Sequence, residues 1–405
     1  MIPDLNTLFS DHAMRMKRSA IRECLKLTQQ PDIISFAGGL PSKSSFPYDD
    51  IARLSAEVIK EEGAAALQYS TTEGDMELRK QLLKRYQAEG LDHITTDNIV
   101  ITTASQQSLD LLGKILINPG DKIICGLPSY LGGLSAFSVY GPELVGIELD
   151  QYGMRSDQLE HTLEAMREAG ERPKFIYVIP DFQNPAGITM PEFRRKEIIA
   201  LAHKYNVLII EDSPYREIRF EGTPPKMMHA LDQSGHVITL GTFSKIFCPG
   251  FRIGWIIAHR EILDKFVQAK QTADLCTSSF LQKIAARYLE QGLFEKNLVR
   301  IIAEYKAKKE NMIRNLETYM PEGVTWTNPE GGLFLFVYLP KTLNAEELFP
   351  KAIEKKVAFI KGDVFHCNGS GTNTIRINFS FVDEATNTEG VKRMGEVIKE
   401  ALSHP

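Results

Sequence analysis

From about residue 98 the chain alternates short β-branched runs with longer stretches whose apolar residues recur at helical spacing, the pattern of a mostly parallel sheet covered by helices. Strands are predicted at 99–102, 122–125, 175–179, 207–211, 237–240 and 255–258. Between them, 106–117 and 192–205 carry helical periodicity, with Phe193, Ile198, Leu201 and Ala202 on one face of the second. The pattern changes after residue 290. A long charged amphipathic helix is predicted over 293–319, followed by Pro321, Gly323 and the turn Pro329-Glu330-Gly331-Gly332. Strands at 333–339 and 374–379 then point to a smaller α+β unit. The fold class is α/β, with an arm over 1–47 that belongs to the small domain, a large domain over 48–295 and a small C-terminal domain over 296–405.

Length and composition agree with two domains: 405 residues, 43% hydrophobic and 24% charged, exceed what one core usually organises. A formal net charge of -5, with both signs interspersed, gives no footprint for nucleic acid or an acidic membrane surface. The five cysteines (Cys24, Cys125, Cys248, Cys276 and Cys367) are odd in number and widely spaced. No CxxC pair suggests a metal or redox centre, so no metal is expected and the thiols read as reduced. Asp4, Asp11, Arg15, Lys17 and Arg18 interrupt the first 27 residues, leaving no apolar run of signal-peptide length, and no segment approaches a membrane span. A cytoplasmic protein is expected.

Open α/β sheets gather their chemistry outside the C-terminal ends of the strands. Ser105, Tyr130, Asn184, Asp212 and Lys245 each follow one predicted strand. In Thr242-Phe243-Ser244-Lys245 followed by Pro249-Gly250-Phe251-Arg252-Ile253-Gly254, two hydroxyls and a guanidinium bracket a lysine on a turn. That set offers donors and positive charge to a phosphate beside an amine able to form a Schiff base. Ser105 and Gln106 sit where backbone N–H groups at a helix start can meet phosphate oxygens.

The lysine segment resembles the signature of the class I/II aminotransferases, the fold-type I enzymes that use pyridoxal 5′-phosphate (PLP). Such enzymes have a mostly parallel, seven-stranded-type sheet. The resemblance implies that Lys245 holds PLP covalently and that Thr242, Ser244 and Arg252 hold its phosphate. Ile209-Ile210-Glu211-Asp212-Ser213-Pro214-Tyr215 resembles the strand end whose aspartate pairs with the ring nitrogen. Asp181-Phe182-Gln183-Asn184-Pro185-Ala186-Gly187 resembles the family's Asn-Pro-x-Gly element, which implies that Asn184 and Tyr215 donate to the cofactor's phenolic oxygen. Tyr130 matches the aromatic residue that covers the ring, and Arg376, in Asn373-Thr374-Ile375-Arg376-Ile377-Asn378-Phe379, the one that grips the substrate α-carboxylate. Tyr69 matches a residue that reaches the neighbouring subunit's phosphate, which implies a homodimer with its active site at the interface. The family often has Gly where this chain has Ala104, and Leu where it has Phe251.

Ser19-Ala20-Ile21-Arg22-Glu23 and Ile34-Ser35-Phe36-Ala37-Gly38-Gly39-Leu40-Pro41 resemble the branch of 2-aminoadipate and kynurenine aminotransferases and the aminotransferase-like domain of MocR-type regulators. There Gly38 and Gly39 let backbone approach the substrate, and Arg22 stands where some relatives meet an acidic side chain. The resemblance implies ping-pong transfer of an α-amino group from a 2-aminoadipate, aromatic or aliphatic donor to a 2-oxo acid, with 2-oxoglutarate the expected acceptor. A PLP-dependent lyase or decarboxylase would share every cofactor contact. A regulator would need a DNA-binding module, for which only about 30 residues precede Gly38-Gly39.

Overall fold

The computed structural model describes residues 7–27 and 32–403. Residues 1–6 and 28–31 of the predicted arm, Asp4 among them, and the last two residues lie outside the described residues. Among those described, no helix is long and apolar enough to cross a membrane.

The strands in chain order are β1 (Ile34–Ser35), β2 (Ile99–Thr102), β3 (Lys122–Leu127), β4 (Glu143–Asp150), β5 (Gly153–Met154), β6 (Phe175–Val178), β7 (Leu208–Asp212), β8 (Val237–Thr242) and β9 (Gly254–Ile257). All but β1 form one sheet in the order β2-β9-β8-β7-β6-β3-β4-β5. The run β4-β3-β6-β7-β8 is parallel, and β9 is antiparallel to both its neighbours. Strands β2, β6, β8 and β9 are buried at every position because helices cover both faces of the sheet. Strand β4 was not expected from the sequence. Its Glu-Leu-Val-Gly-Ile-Glu-Leu-Asp run buries only one residue fully, and its outer neighbour β5 is a two-residue hairpin partner that brings the sheet to eight strands.

The predicted helix at 192–205 is found at Glu192–Tyr205, ended by Asn206 in the left-handed region, and that at 293–319 at Leu293–Tyr319, between Gly292 at φ +66° and Pro321. The helix expected at 106–117 begins two residues earlier, at Ala104–Leu116, so Ser105 and Gln106 belong to its first turn. Strands β10 (Thr325–Trp326), β11 (Phe334–Tyr338), β12 (Val357–Ala358), β13 (Ile360–Lys361) and β14 (Thr374–Asn378) follow, with β10-β11-β14-β13 forming a second, antiparallel sheet. The arm returns to this C-terminal part: β1 pairs in parallel with β12, and the Asn378 N–H donates to the Phe36 carbonyl at 2.9 Å. Residues 37–39 are thereby led between the two sheets.

Candidate active site

The C-terminal ends of β2, β3, β6, β7 and β8 lie along one edge of the large sheet, and there the predicted residues converge. Asp212, the last residue of β7, is buried. Its Oδ2 accepts from the Tyr177 hydroxyl at 2.8 Å, whereas its Oδ1 is sealed from solvent with no hydrogen-bond partner. Desolvation raises its pKa from 3.8 to about 7, against which the Tyr177 bond works. A buried carboxylate oxygen without a donor is costly, and the protonated ring nitrogen of a bound heterocycle would supply one.

Lys245 follows β8. Its Nζ donates to the Gly39 carbonyl at 2.7 Å. Burial, then the charges of Arg376, Arg252 and Arg22, push its pKa down from 10.5 to about 8, so about a tenth of it is free amine at pH 7. Gly39 leaves little space here: a Cβ would sit 3.2 Å from the Phe334 ring and 3.9 Å from Lys245 Nζ.

Arg376, on β14, is almost fully buried and lies over the Phe334 ring at 4.3 Å and the Phe365 ring at 5.0 Å. Its Nη1 donates to Asn184 Oδ1 at 2.9 Å and its Nη2 to the Ala37 carbonyl at 2.7 Å, while Nε is buried without a partner. Burial lowers its pKa to about 10, which leaves it charged at neutral pH. Asn184 Nδ2 in turn donates to the Tyr215 hydroxyl at 3.3 Å. A fork with an unused N–H, aimed beside an amine and a carboxylate, suits a substrate carboxylate.

The turn bearing Asn184 is fixed by a network that the sequence analysis missed. Asp181 is fully buried, with Arg195 Nη2 at 2.8 Å, Arg216 Nη1 at 3.2 Å and Arg219 Nη2 at 3.6 Å. Burial alone would raise its carboxyl, but the three guanidiniums outweigh that and hold it below its ordinary value. The Gly331-Gly332 turn closes over Phe182: a Cβ on Gly331 would meet Phe182 Cζ at 2.3 Å and the Ile218 carbonyl at 2.2 Å.

The remaining predicted residues range from buried, as Thr242 and Tyr215 are, to exposed, as Gln106 and Arg252 are. Ser244 N–H donates to Thr242 Oγ1 at 3.1 Å, and the two hydroxyls lie 2.9 Å apart. Arg252, exposed and left-handed at φ 53°, is turned back by the 3-10 turn Pro249–Phe251. The helix start is pressed against β9, since a Cβ on Gly254 would lie 2.5 Å from Ser105 N and 2.6 Å from the Ala104 carbonyl carbon. Ala104 itself is held at φ 61°, a conformation that suits glycine better than a residue with a side chain. Gln106 is exposed and donates to the Gly132 carbonyl at 3.0 Å. Burial and the Asp212 charge raise the Tyr130 pKa, and Asp212 likewise raises that of Tyr215, after burial and Tyr130. Arg22 is exposed on the helix Ala20–Leu27, yet close enough for its charge to act on Lys245 and Tyr130. Tyr69 stands apart, 79% exposed. Tyr177, Phe334 and Phe365 were not foreseen. Two clefts of about 840 and 830 Å³ open elsewhere and include neither Lys245 nor Asp212.

The family described as aminotransferase class I and II matches residues 32–394. An aromatic-amino-acid aminotransferase of Thermococcus litoralis is 45% identical over 399 residues, covering 98% of this chain and 96% of its own. Among solved structures, a kynurenine aminotransferase of Pyrococcus horikoshii in complex with PMP superposes with a TM-score of 0.95 at 44% identity, covering 99% of each chain. An α-aminoadipate aminotransferase of Thermus thermophilus, complexed with N-(5′-phosphopyridoxyl)-L-leucine, gives 0.92 at 37%, also covering 99% of each.

Proposed function

Given that this chain belongs to the class I and II aminotransferases and is a PLP-dependent amino acid aminotransferase, we propose that Lys245 is its cofactor-linking and proton-carrying residue. When bound, PLP supplies an aldehyde for the amine and a protonated ring that draws electrons from the substrate α-carbon. The observation that carries this reading is the pairing of a low-pKa amine with a buried carboxylate whose Oδ1 has no donor.

Asp212 would hold the ring nitrogen protonated, supported from behind by Tyr177. Asn184 and Tyr215 would face the phenolic oxygen, and Tyr130 the ring. Ser105, Gln106, Thr242, Ser244 and Arg252 would surround the phosphate, with Tyr69 contributed to the neighbouring subunit's site. Arg376 orients the donor by its α-carboxylate through Nε and one Nη, with Asn184 steadying the other side of the fork. Lys245 Nζ, the amine held at the Gly39 carbonyl, would take the substrate Cα proton and return it on the other side of the transfer. Gly39, lacking a side chain, leaves room for the substrate beside that amine.

Phe334 and Phe365 beside Arg376 support aromatic or aliphatic donors, and the charge of Arg22 supports acidic ones such as 2-aminoadipate; 2-oxoglutarate fits as acceptor for the same reason. The exposure of Tyr69 and of Leu67 before it supports a homodimer. The separate sheets support a division into an arm to residue 47, a large domain over 48–295 and a small one over 296–405. The five cysteines are free even though Cys125 Sγ and Cys367 Sγ lie 3.8 Å apart, which supports a cytoplasmic setting. A panel of amino donors assayed with 2-oxoglutarate tests the proposal: glutamate should accumulate with aromatic, aliphatic and acidic donors. Decarboxylation or β-elimination without glutamate would overturn it.

A further inference from the structure

At the opposite, N-terminal edge of the large sheet, three potential metal ligands meet. They are His203 in the last turn of Glu192–Tyr205, and Asp232 and His236 in the loop leading into β8. Spacings of 29 and 4 residues match no sequence signature, and the chemistry described above uses none of the three. His203 Nε2, one Asp232 carboxylate oxygen and one His236 ring nitrogen all lie within 4.8 Å of one another.

Asp232 is fully buried and aimed. Its Oδ2 accepts from the N–H groups of His236 at 2.9 Å and Val237 at 3.1 Å, which turns Oδ1 toward His203 Nε2 at 2.9 Å. His236 Nε2 faces Asn206 Oδ1 at 3.3 Å, so the proton belongs on Nε2 and the Nδ1 lone pair points inward. Such an outer partner on the second ring nitrogen is what orients a metal-binding histidine. The centre is held by Ser234 Oγ, at 2.9 Å from His203 Nε2, 2.5 Å from Asp232 Oδ1 and 2.6 Å from His236 Nδ1. Asp232 Oδ1 also accepts from the Ser234 N–H at 2.9 Å, so the hydroxyl can donate to His236 Nδ1 and the cluster closes on itself with Ser234 Oγ at the point where the three ligand atoms converge. A groove of about 480 Å³ containing Ser234, His236 and Asn206 opens onto it.

We propose that His203, Asp232 and His236 form a binding site for a divalent transition ion of the zinc type, distinct from the active site. Two imidazoles and a carboxylate are the donor set such an ion prefers, at about 2.0–2.2 Å, with ligand atoms about 3.3 Å apart in a tetrahedron. The ion enters from the groove, the Ser234 side chain rotates away, and water completes the coordination. His203 shifts its proton to Nδ1, and its partial exposure allows the ring to move inward. The ion ties the end of the Glu192–Tyr205 helix to the start of β8. Its effect falls on stability, not on transamination.

The test uses chelator-treated, PLP-loaded enzyme titrated with zinc chloride by calorimetry and thermal melting, beside His203→Gln, His236→Gln and Asn206→Gly. The last keeps the left-handed backbone at 206 (φ 52°) while removing the outer partner. One zinc per chain is expected, with a rise in Tm, at least about tenfold weaker binding in each variant, and unchanged transaminase rates in the metal-free variants. Magnesium should give no shift. Absence of saturable zinc binding to the wild type, or equal affinity in the histidine variants, would overturn the assignment.

Discussion

Replacing Asp212 by Asn separates what this side chain does for the fold from what it does for the chemistry. The carboxyl pKa is lifted from 3.8 to about 7 by burial, so folding the cofactor-free chain with Asp212 ionised costs about 4 kcal/mol. The sign follows from proton counting. Between about pH 4 and 7 the folded state binds more protons at this site than the unfolded state, so stability falls as pH rises through that window and stays low above it. The amide has no charge to lose and can still accept from Tyr177. Cofactor-free Asp212→Asn should therefore exceed the wild type by about 2 kcal/mol at pH 5 and about 4 kcal/mol at pH 8, measured by urea unfolding. With PLP present the order of merit reverses for activity: the variant loses the partner of the ring nitrogen, and kcat should fall by about 10²–10³. A variant less stable than wild type at pH 8, or a stability difference independent of pH, would show that Asp212 is not a burial-destabilised carboxylate.

Arg376→Lys keeps a positive charge but not the fork; kcat/KM for amino donors should drop about 10²-fold, roughly the worth of one charge-assisted hydrogen bond, while the cofactor spectrum stays unchanged. Ala104→Gly relieves the φ of 61° and should stabilise the protein by about 1 kcal/mol, seen as a small rise in Tm. If Tyr69 serves the neighbouring site, mixing inactive Lys245→Ala with inactive Tyr69→Ala chains should restore roughly a quarter of wild-type activity, because half the dimers are mixed and each holds one intact site. No recovery after subunit exchange would place Tyr69 elsewhere.

The site was legible in the sequence where chemistry follows a strand end in order: Asp212, Lys245, Asn184 and Tyr130 all lie at the edge that the strand pattern marked. The fold was legible where a fully buried strand also carries a largely apolar run, as in β6 and the 237–240 part of β8. Strand β4 was missed because only the two-residue β5 lies outside it, so it exposes much of its length and loses the apolar signal. Tyr177 was missed because its phenol is hidden in the buried run Phe-Ile-Tyr-Val, where only the tertiary structure reveals that it meets Asp212. The Asp181 network joins residues as far as 38 positions apart, and no local pattern announces it. Phe334 and Phe365 reach Arg376 from two different segments that only the small sheet brings together.

One amine, held beside Gly39 and made nucleophilic by burial and three arginines, is proposed to carry the cofactor. Borohydride reduction of the PLP-loaded protein followed by peptide mass mapping should leave a phosphopyridoxyl group on the peptide containing Lys245, at one per chain. An unmodified Lys245 peptide, or the label on another lysine, would contradict that assignment.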